Sequence, residues 1–336
     1  MRSGMTWVIG MGALLLQGCG QLPQDAAAPR PAAAPASAQA ASRASALDGQ
    51  RGQGQPYEIV GSEVWDVPDP ASGRTYQVFV GLPPSYAEQP ARRYPVLYVT
   101  DADYAFPLIR QIGRRLNVEG PKIEEFILVG LSYAKGDDGM TSRRRDYTPS
   151  PAGAGGDSSA AEHGRAADYM AYLDGQVLPF VAQRYRTDED RRLFLGHSYG
   201  SLLGTQILLT QPRMFSGYIL GSPSYWYDNH WMDGLESRLA AARQDLHAEV
   251  YMYIGEQEQR AFGQRYDMVA DARRMAHALS TRRYPSLRMT LDVLDGETHL
   301  TVAPRGFTRG LQQLLPMPAA SAGPSPGMRQ DVPRPG

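Results

Sequence analysis

The chain has 336 residues, with 34 Lys and Arg against 35 Asp and Glu and a net charge of −1; a balance this near zero argues against a nucleic-acid-binding protein. One cysteine excludes an intramolecular disulfide. Apolar residues make up 42% of the chain, enough for one large α/β core, and lysine occurs only at Lys122 and Lys135, so the positive charge is nearly all arginine.

The N-terminus opens on Met1-Arg2 and an apolar run from Met5 to Leu16, too short to remain as a bilayer-spanning anchor, and reads as a secretory signal. It ends in Leu16-Gln17-Gly18-Cys19, which resembles the lipobox of bacterial lipoproteins, where the cysteine becomes the lipidated first residue. An ordinary cleaved signal with a coincidental cysteine is the weaker alternative, because the sole thiol of an exported chain falls at the cleavage point. Gly20 stands where inner-membrane lipoproteins carry aspartate, so the lipoprotein rule points to the outer membrane, facing the periplasm. Residues 20–56 are Ala, Pro, Ser and Gln with almost no large apolar side chain and read as a disordered tether; residues 316–336 read as a disordered Pro-rich tail.

Between those ends, residues 57–315 alternate strand-like and helix-period runs. Tyr57–Val67 and Thr75–Leu82 predict an opening antiparallel pair. Tyr94–Thr100, Glu125–Tyr133, Arg191–Leu195, Gly217–Gly221, Ala248–Gly255 and Leu287–Leu294 predict further strands. Helical periodicity covers Phe106–Asn117, Ala166–Arg184, Ser201–Leu209, Gly234–Arg243, Gln264–Leu279 and Pro304–Leu315. The alternation predicts a mostly parallel twisted sheet with helices on both faces, an α/β class domain with the order of an α/β-hydrolase. Residues 134–163 are a loop insertion too long for an ordinary connection: a Gly/Ala/Ser-rich half read as disorder follows an arginine half, Arg143-Arg144-Arg145-Asp146-Tyr147-Thr148-Pro149, that either lines a pocket or is a solvated charge run.

The stretch Arg192 to Gly204 carries the chemistry. An apolar strand runs into Gly196-His197-Ser198-Tyr199-Gly200 and then into a helix, the context of a nucleophile elbow, in which small residues at both glycines let strand and helix approach and hold the serine out at the sheet edge. A serine hydroxyl needs a histidine base, oriented by a carboxylate, following in the order Ser, acid, His. His299 fits as the base, just past a strand and before the last helix. His163, His197, His247 and His277 read as surface or packing residues, and His230 as structural or substrate-touching. For the acid, Glu258 is favoured over Glu256 because it lies farther past its strand, where the loop can bend; Asp295, or a Ser-His dyad without any acid, are the alternatives. The oxyanion requires two backbone donors: Tyr199, after the nucleophile, and Asp103, with Ala102 as the alternative, after the third core strand.

These motifs, with Ser222-Pro223-Ser224-Tyr225-Trp226-Tyr227-Asp228 and Gly296-Glu297-Thr298-His299, resemble the putative-esterase branch of α/β-hydrolases, which includes the periplasmic and cytoplasmic esterases of enterobactin-type catecholate siderophores. Ala102 departs from the glycine common in that branch, and the loop after Pro149 is unusually long. The resemblance implies a serine esterase, with the trilactone of a ferric catecholate as leading substrate, bound by Arg143 and Arg145 with Trp226 and Tyr225 through charge-assisted and aromatic contacts. It implies no cofactor and no metal, and a small ester as partner; the lipobox adds a membrane reached through the lipid anchor. A general carboxylesterase for acylated sugars, phenolic esters or other small acyl compounds, and a non-catalytic binding lipoprotein, are the rival expectations.

Overall fold

A computed structural model describes Gly54 and residues 56–151 and 162–318; the signal with Cys19, nearly all of the tether, the Gly/Ala/Ser-rich part of the insertion and most of the tail lie outside the described residues. The strands are β1 (Ser62–Asp69), β2 (Arg74–Gly81), β3 (Tyr94–Thr100), β4 (Ile127–Ala134), β5 (Thr187–His197), β6 (Gly217–Gly221), β7 (Ala248–Gly255) and β8 (Leu287–Leu294). They form one sheet in the order β1-β2-β4-β3-β5-β6-β7-β8. β1 and β2 pair antiparallel from Ser62↔Gly81 to Asp69↔Arg74, β2 joins β4 antiparallel, and every pair from β4 to β8 is parallel.

Strand side chains alternate between two cores, as the pleat requires. On β3, Val96 and Tyr98 enter one core and Leu97 and Val99 the other. The second core is closed by Phe106 and Ile109 of α1 (Ala102–Leu116) and by Phe307 and Leu311 of the C-terminal helix, Ala303–Leu314. The opposite face is covered by the helices that lie between them in the chain. α2 (Gly139–Tyr147) is capped by Asp138, whose side chain accepts from the Thr141 amide at 2.9 Å. α3 (Ala166–Tyr172) continues through a π-helical turn, Leu173–Val177, into α4 (Leu178–Arg184), whose first turn holds Pro179, a residue with no amide to donate. α5 (Tyr199–Thr210), α6 (Tyr227–Ala240) and α7 (Met268–Thr281) complete this layer, and the C-terminal helix is α8.

Two expectations change. The arginine half of the insertion is the helix α2 rather than a loop. The second is the helix expected over Gly234–Arg243, which instead spans Tyr227–Ala240 as α6, with Asp228, Asn229 and His230 in the left-handed region at φ 45°, 51° and 63°. Among the described residues no helix is long and apolar enough to cross a membrane. What positions the site is the row of strand C-termini: β3, β5, β6, β7 and β8 all release their chains at one edge.

Candidate active site

At the end of β5 the chain turns into α5 through Ser198, held at φ 59°, ψ −117°. The neighbouring glycines are sterically required: a Cβ on Gly196 would lie 2.3 Å from the Gly200 carbonyl group, and one on Gly200 would lie 2.2 Å from Thr100 Oγ1. The Ser198 amide donates to the Gly221 carbonyl at the end of β6, at 2.9 Å, which ties the turn to the next strand. Strain of this kind is stored only where the surroundings over-determine the backbone.

Beyond β7, Glu258 turns back into the protein and is 1% exposed. Its Oε1 accepts from Ser222 Oγ at 2.6 Å and from the Gly255 amide at 2.8 Å, and its Oε2 lies 2.7 Å from His299 Nδ1. Ser222 is itself at φ 41° at the end of β6, which aims its hydroxyl at the carboxylate. A carboxylate only accepts, so Nδ1 of His299 carries the proton and Nε2 is left as the basic nitrogen. Glu256 is elsewhere: its Oε2 accepts from the Gly296 amide at 3.1 Å, and it forms no hydrogen bond or ion pair with His299. Asp295 is exposed.

His197 fastens the same loop from the other side. Its Nε2 is 3.0 Å from the His299 carbonyl and its Nδ1 is 3.3 Å from the Tyr253 hydroxyl, with the two imidazole centroids 4.8 Å apart. A carbonyl can only accept, so His197 Nε2 donates, and with the ring neutral Nδ1 accepts from the Tyr253 hydroxyl. Its burial, with the adjacent His299 ring adding to it, holds the imidazole pKa down to about 3.

Ser198 and His299 line a cleft with a large lobe of about 700 Å³ and a small one of about 260 Å³; both residues, and Trp226, border both lobes. The Ser198 hydroxyl pairs with Ser224 Oγ at 3.2 Å and, among the described residues, forms no hydrogen bond with His299, the looser arrangement common in ligand-free catalytic sites. The Tyr199 amide lies in the first turn of α5, where helical N–H groups have no partner within the helix.

The motif after β6 divides by alternation. Ser222 reaches Glu258, Ser224 reaches Ser198, and Trp226 lines the cleft. Tyr225, expected at substrate, instead points inward: it is fully buried with its hydroxyl 2.8 Å from Thr205 Oγ1. The arginine run divides as well. Arg143 borders the large lobe, but its Nε donates to Asp101 Oδ1 at 2.8 Å, where the Tyr133 hydroxyl also donates at 2.9 Å. Burial raises the Asp101 carboxyl pKa, opposed by the Arg143 charge.

Arg145, also expected at substrate, does not reach the cleft. It is 3% exposed and forks onto Asp146 at 2.8 and 2.9 Å while donating to Asp137 at 2.6 Å, beside a separate cavity between the β1–β2 hairpin and α3. Arg143 and Arg144 share the wall of the large lobe, whereas Arg145 leaves the helix about 200° round from Arg143 and faces the other side. Asp103, expected to supply the second backbone donor, lies in the first turn of α1; its exposed side chain accepts from Ser132 Oγ at 2.9 Å, while Asp101 and Tyr104 border the cleft. His230 pairs with Arg274 of α7. Missed by sequence reasoning were Arg144 and His163, which line the large lobe, and Arg265 and Tyr266, which line the small one; only Arg144 stood inside a motif that could have signalled it.

Sheet order and elbow together define an ester-hydrolysing serine hydrolase of the α/β-hydrolase fold. A family model described as "Putative esterase" matches residues 70–288, and the chain belongs to that family. It is similar to the ferri-bacillibactin esterase of Bacillus subtilis (strain 168), 27% identical over 277 residues that cover 79% of this chain and 93% of that protein. It is also similar to a siderophore enterobactin esterase of Emericella nidulans, 26% identical over 244 residues covering 68% and 80%. Among solved structures, the BES protein from Bacillus cereus has the same fold, with a TM-score of 0.67 at 23% identity over 79% of this chain and 99% of that one.

Proposed function

We propose that this protein hydrolyses the ester bonds of a catecholate siderophore, with the ferric trilactone as its foremost substrate. Ser198 is the nucleophile, His299 the base and Glu258 its orienting acid. The observation that carries the chemistry is the 2.7 Å Glu258–His299 pair beside an elbow serine in a shared cleft. His299 Nε2 takes the Ser198 proton as Oγ adds to the ester carbonyl, and the Tyr199 amide, with a second N–H from the start of α1, holds the oxyanion. Collapse breaks the C–O bond, and His299 returns the proton to the leaving alkoxide. Water then repeats the sequence on the acyl-serine, giving one carboxylate and one alcohol per ester cleaved.

Support for the substrate class comes from the two relatives' activities and from the wall of the large lobe, where Arg144 and Trp226 offer charge and an aromatic face to a large, aromatic anion. Opening the macrocycle weakens its hold on iron. Purified protein assayed on ferric enterobactin, the iron-free trilactone and p-nitrophenyl butyrate should favour the trilactones in kcat/KM; butyrate as the only substrate cleaved would leave a general carboxylesterase. For location, the lipobox-like end supports lipidation of Cys19 and an outer-membrane tether in the periplasm. Cys19→Ser should abolish labelled palmitate incorporation, and a wild-type protein carrying no lipid would overturn the anchor.

A further inference from the structure

The small lobe is a built space rather than a shoulder of the large one. Its walls are Ser224, Trp226, Gln264, Arg265, Tyr266 and Met268, brought together by the motif after β6 and by the segment that leads into α7. Trp226, which borders both lobes, stacks on Tyr266 of the small lobe with centroids 4.3 Å apart and planes 3° from parallel. The Arg265 guanidinium lies 5.1 Å from the Tyr266 centroid. Among the described residues it has no ion pair or hydrogen bond, whereas the wall arginine Arg143 is paired with Asp101. The carboxylate bordering this lobe, Glu258, is already fully engaged by Ser222, Gly255 and His299.

We infer that the small lobe is a subsite for one anionic aryl arm of the ester, with the Trp226–Tyr266 stack as its face and Arg265 as its counter-charge. This rests on the reading of the protein as a siderophore-type esterase and adds where the arm next to the scissile bond goes. A cavity of about 150 Å³ takes up a benzene ring, so 260 Å³ admits one substituted ring with its linker and excludes a three-armed complex, which must lie in the 700 Å³ lobe. Because Ser198 and His299 border both lobes, an ester held across them has its carbonyl at the serine, one arm beyond Trp226 and the remainder beside Arg144.

The test uses two single-arm esters differing only in a permanent charge: the methyl esters of N-(3-sulfobenzoyl)serine and N-benzoylserine. Wild type should prefer the sulfonated arm in kcat/KM, chiefly through KM. Arg265→Gln should lower that preference about tenfold, the scale of one charge-assisted contact, with Arg265→Lys keeping most of it and Arg144→Gln shifting it less. Tyr266→Ala should lower kcat/KM for both arms relative to p-nitrophenyl butyrate. No wild-type preference for the sulfonated arm, an unchanged ratio in Arg265→Gln, or a larger shift in Arg144→Gln would overturn the subsite. Failure of wild type to cleave ferric enterobactin, with the Arg265-dependent preference intact, would sink the siderophore reading and leave the subsite standing.

Discussion

The floor of the cleft and its walls treat charge in opposite ways. On the floor, the acid and the two histidines are bonded on their inner sides: Glu258 holds Ser222, Gly255 and His299, and His197 holds Tyr253 and the His299 backbone. On the walls, Arg143 is consumed by Asp101, as Arg145 behind them is by Asp146 with Asp137, while Arg144 and Arg265 face the cleft with no ion pair among the described residues. A reacting centre gains from groups that cannot reorganise, whereas a binding wall gains from charge that has not yet found its partner. Substitutions at the floor should therefore act on turnover, and substitutions at the walls on substrate choice or on folding.

The largest effect should come from the floor. Ser198→Ala or His299→Ala should each cut ester turnover by about 10³-fold or more with the circular dichroism spectrum retained. Next is the interior arginine: Arg145→Met should cost about 3 kcal/mol in denaturant unfolding by leaving Asp146 buried without its partner, while Arg144→Met should stay within about 0.5 kcal/mol. A large loss at Arg144 and none at Arg145 would invert the contrast between the two.

Glu258→Gln should lower kcat by about 10²-fold, since an amide cannot stabilise the imidazolium, and Glu256→Gln by less than about twofold. Equal small losses at both would indicate a Ser-His dyad.

The smallest effect is a pH linkage at His197. Its native pKa, about 3, lies below the 6.5 of the unfolded chain, so between those values the unfolded state binds more protons and stability falls as pH falls. The stability advantage of wild type over His197→Gln should accordingly shrink by about 2–3 kcal/mol between pH 6.5 and 4.5. An advantage independent of pH would mean that His197 is not buried as a neutral ring.

How much of this was legible depended on whether backbone or side-chain direction carried the signal. β3, β6 and β7 match their expected bounds because each is a short, mostly apolar run with a breaker at or just past its end, and β8 because it alternates apolar and polar residues up to Asp295-Gly296. β5 begins at Thr187, four residues earlier than expected, because Asp188, Glu189 and Asp190 carry no apolar pattern and fall where its pairing with β3 shifts register. The elbow was readable because two glycines are demanded by contacts of 2.2–2.3 Å.

What failed was the direction of individual side chains. Three consecutive arginines looked like one basic patch, yet a helix with no apolar stripe, signalled only by the Asp138 cap, sends them to an aspartate, a cleft and the interior. Tyr225 and Trp226 looked like one aromatic surface, yet the chain after Pro223 turns one toward Thr205 and the other toward Ser198. Arg265 and Tyr266 stand in no motif and are found only through the stack with Trp226.

The central claim is that Ser198, backed by His299 and Glu258, is an activated nucleophile, and covalent labelling tests it most directly. Purified protein treated with an organophosphonate fluoride should gain one adduct by intact mass, mapping to the peptide containing Ser198, at a rate lowered in Glu258→Gln and abolished in Ser198→Ala. Wild type that takes no label, or Ser198→Ala that labels as fast as wild type, would contradict the account.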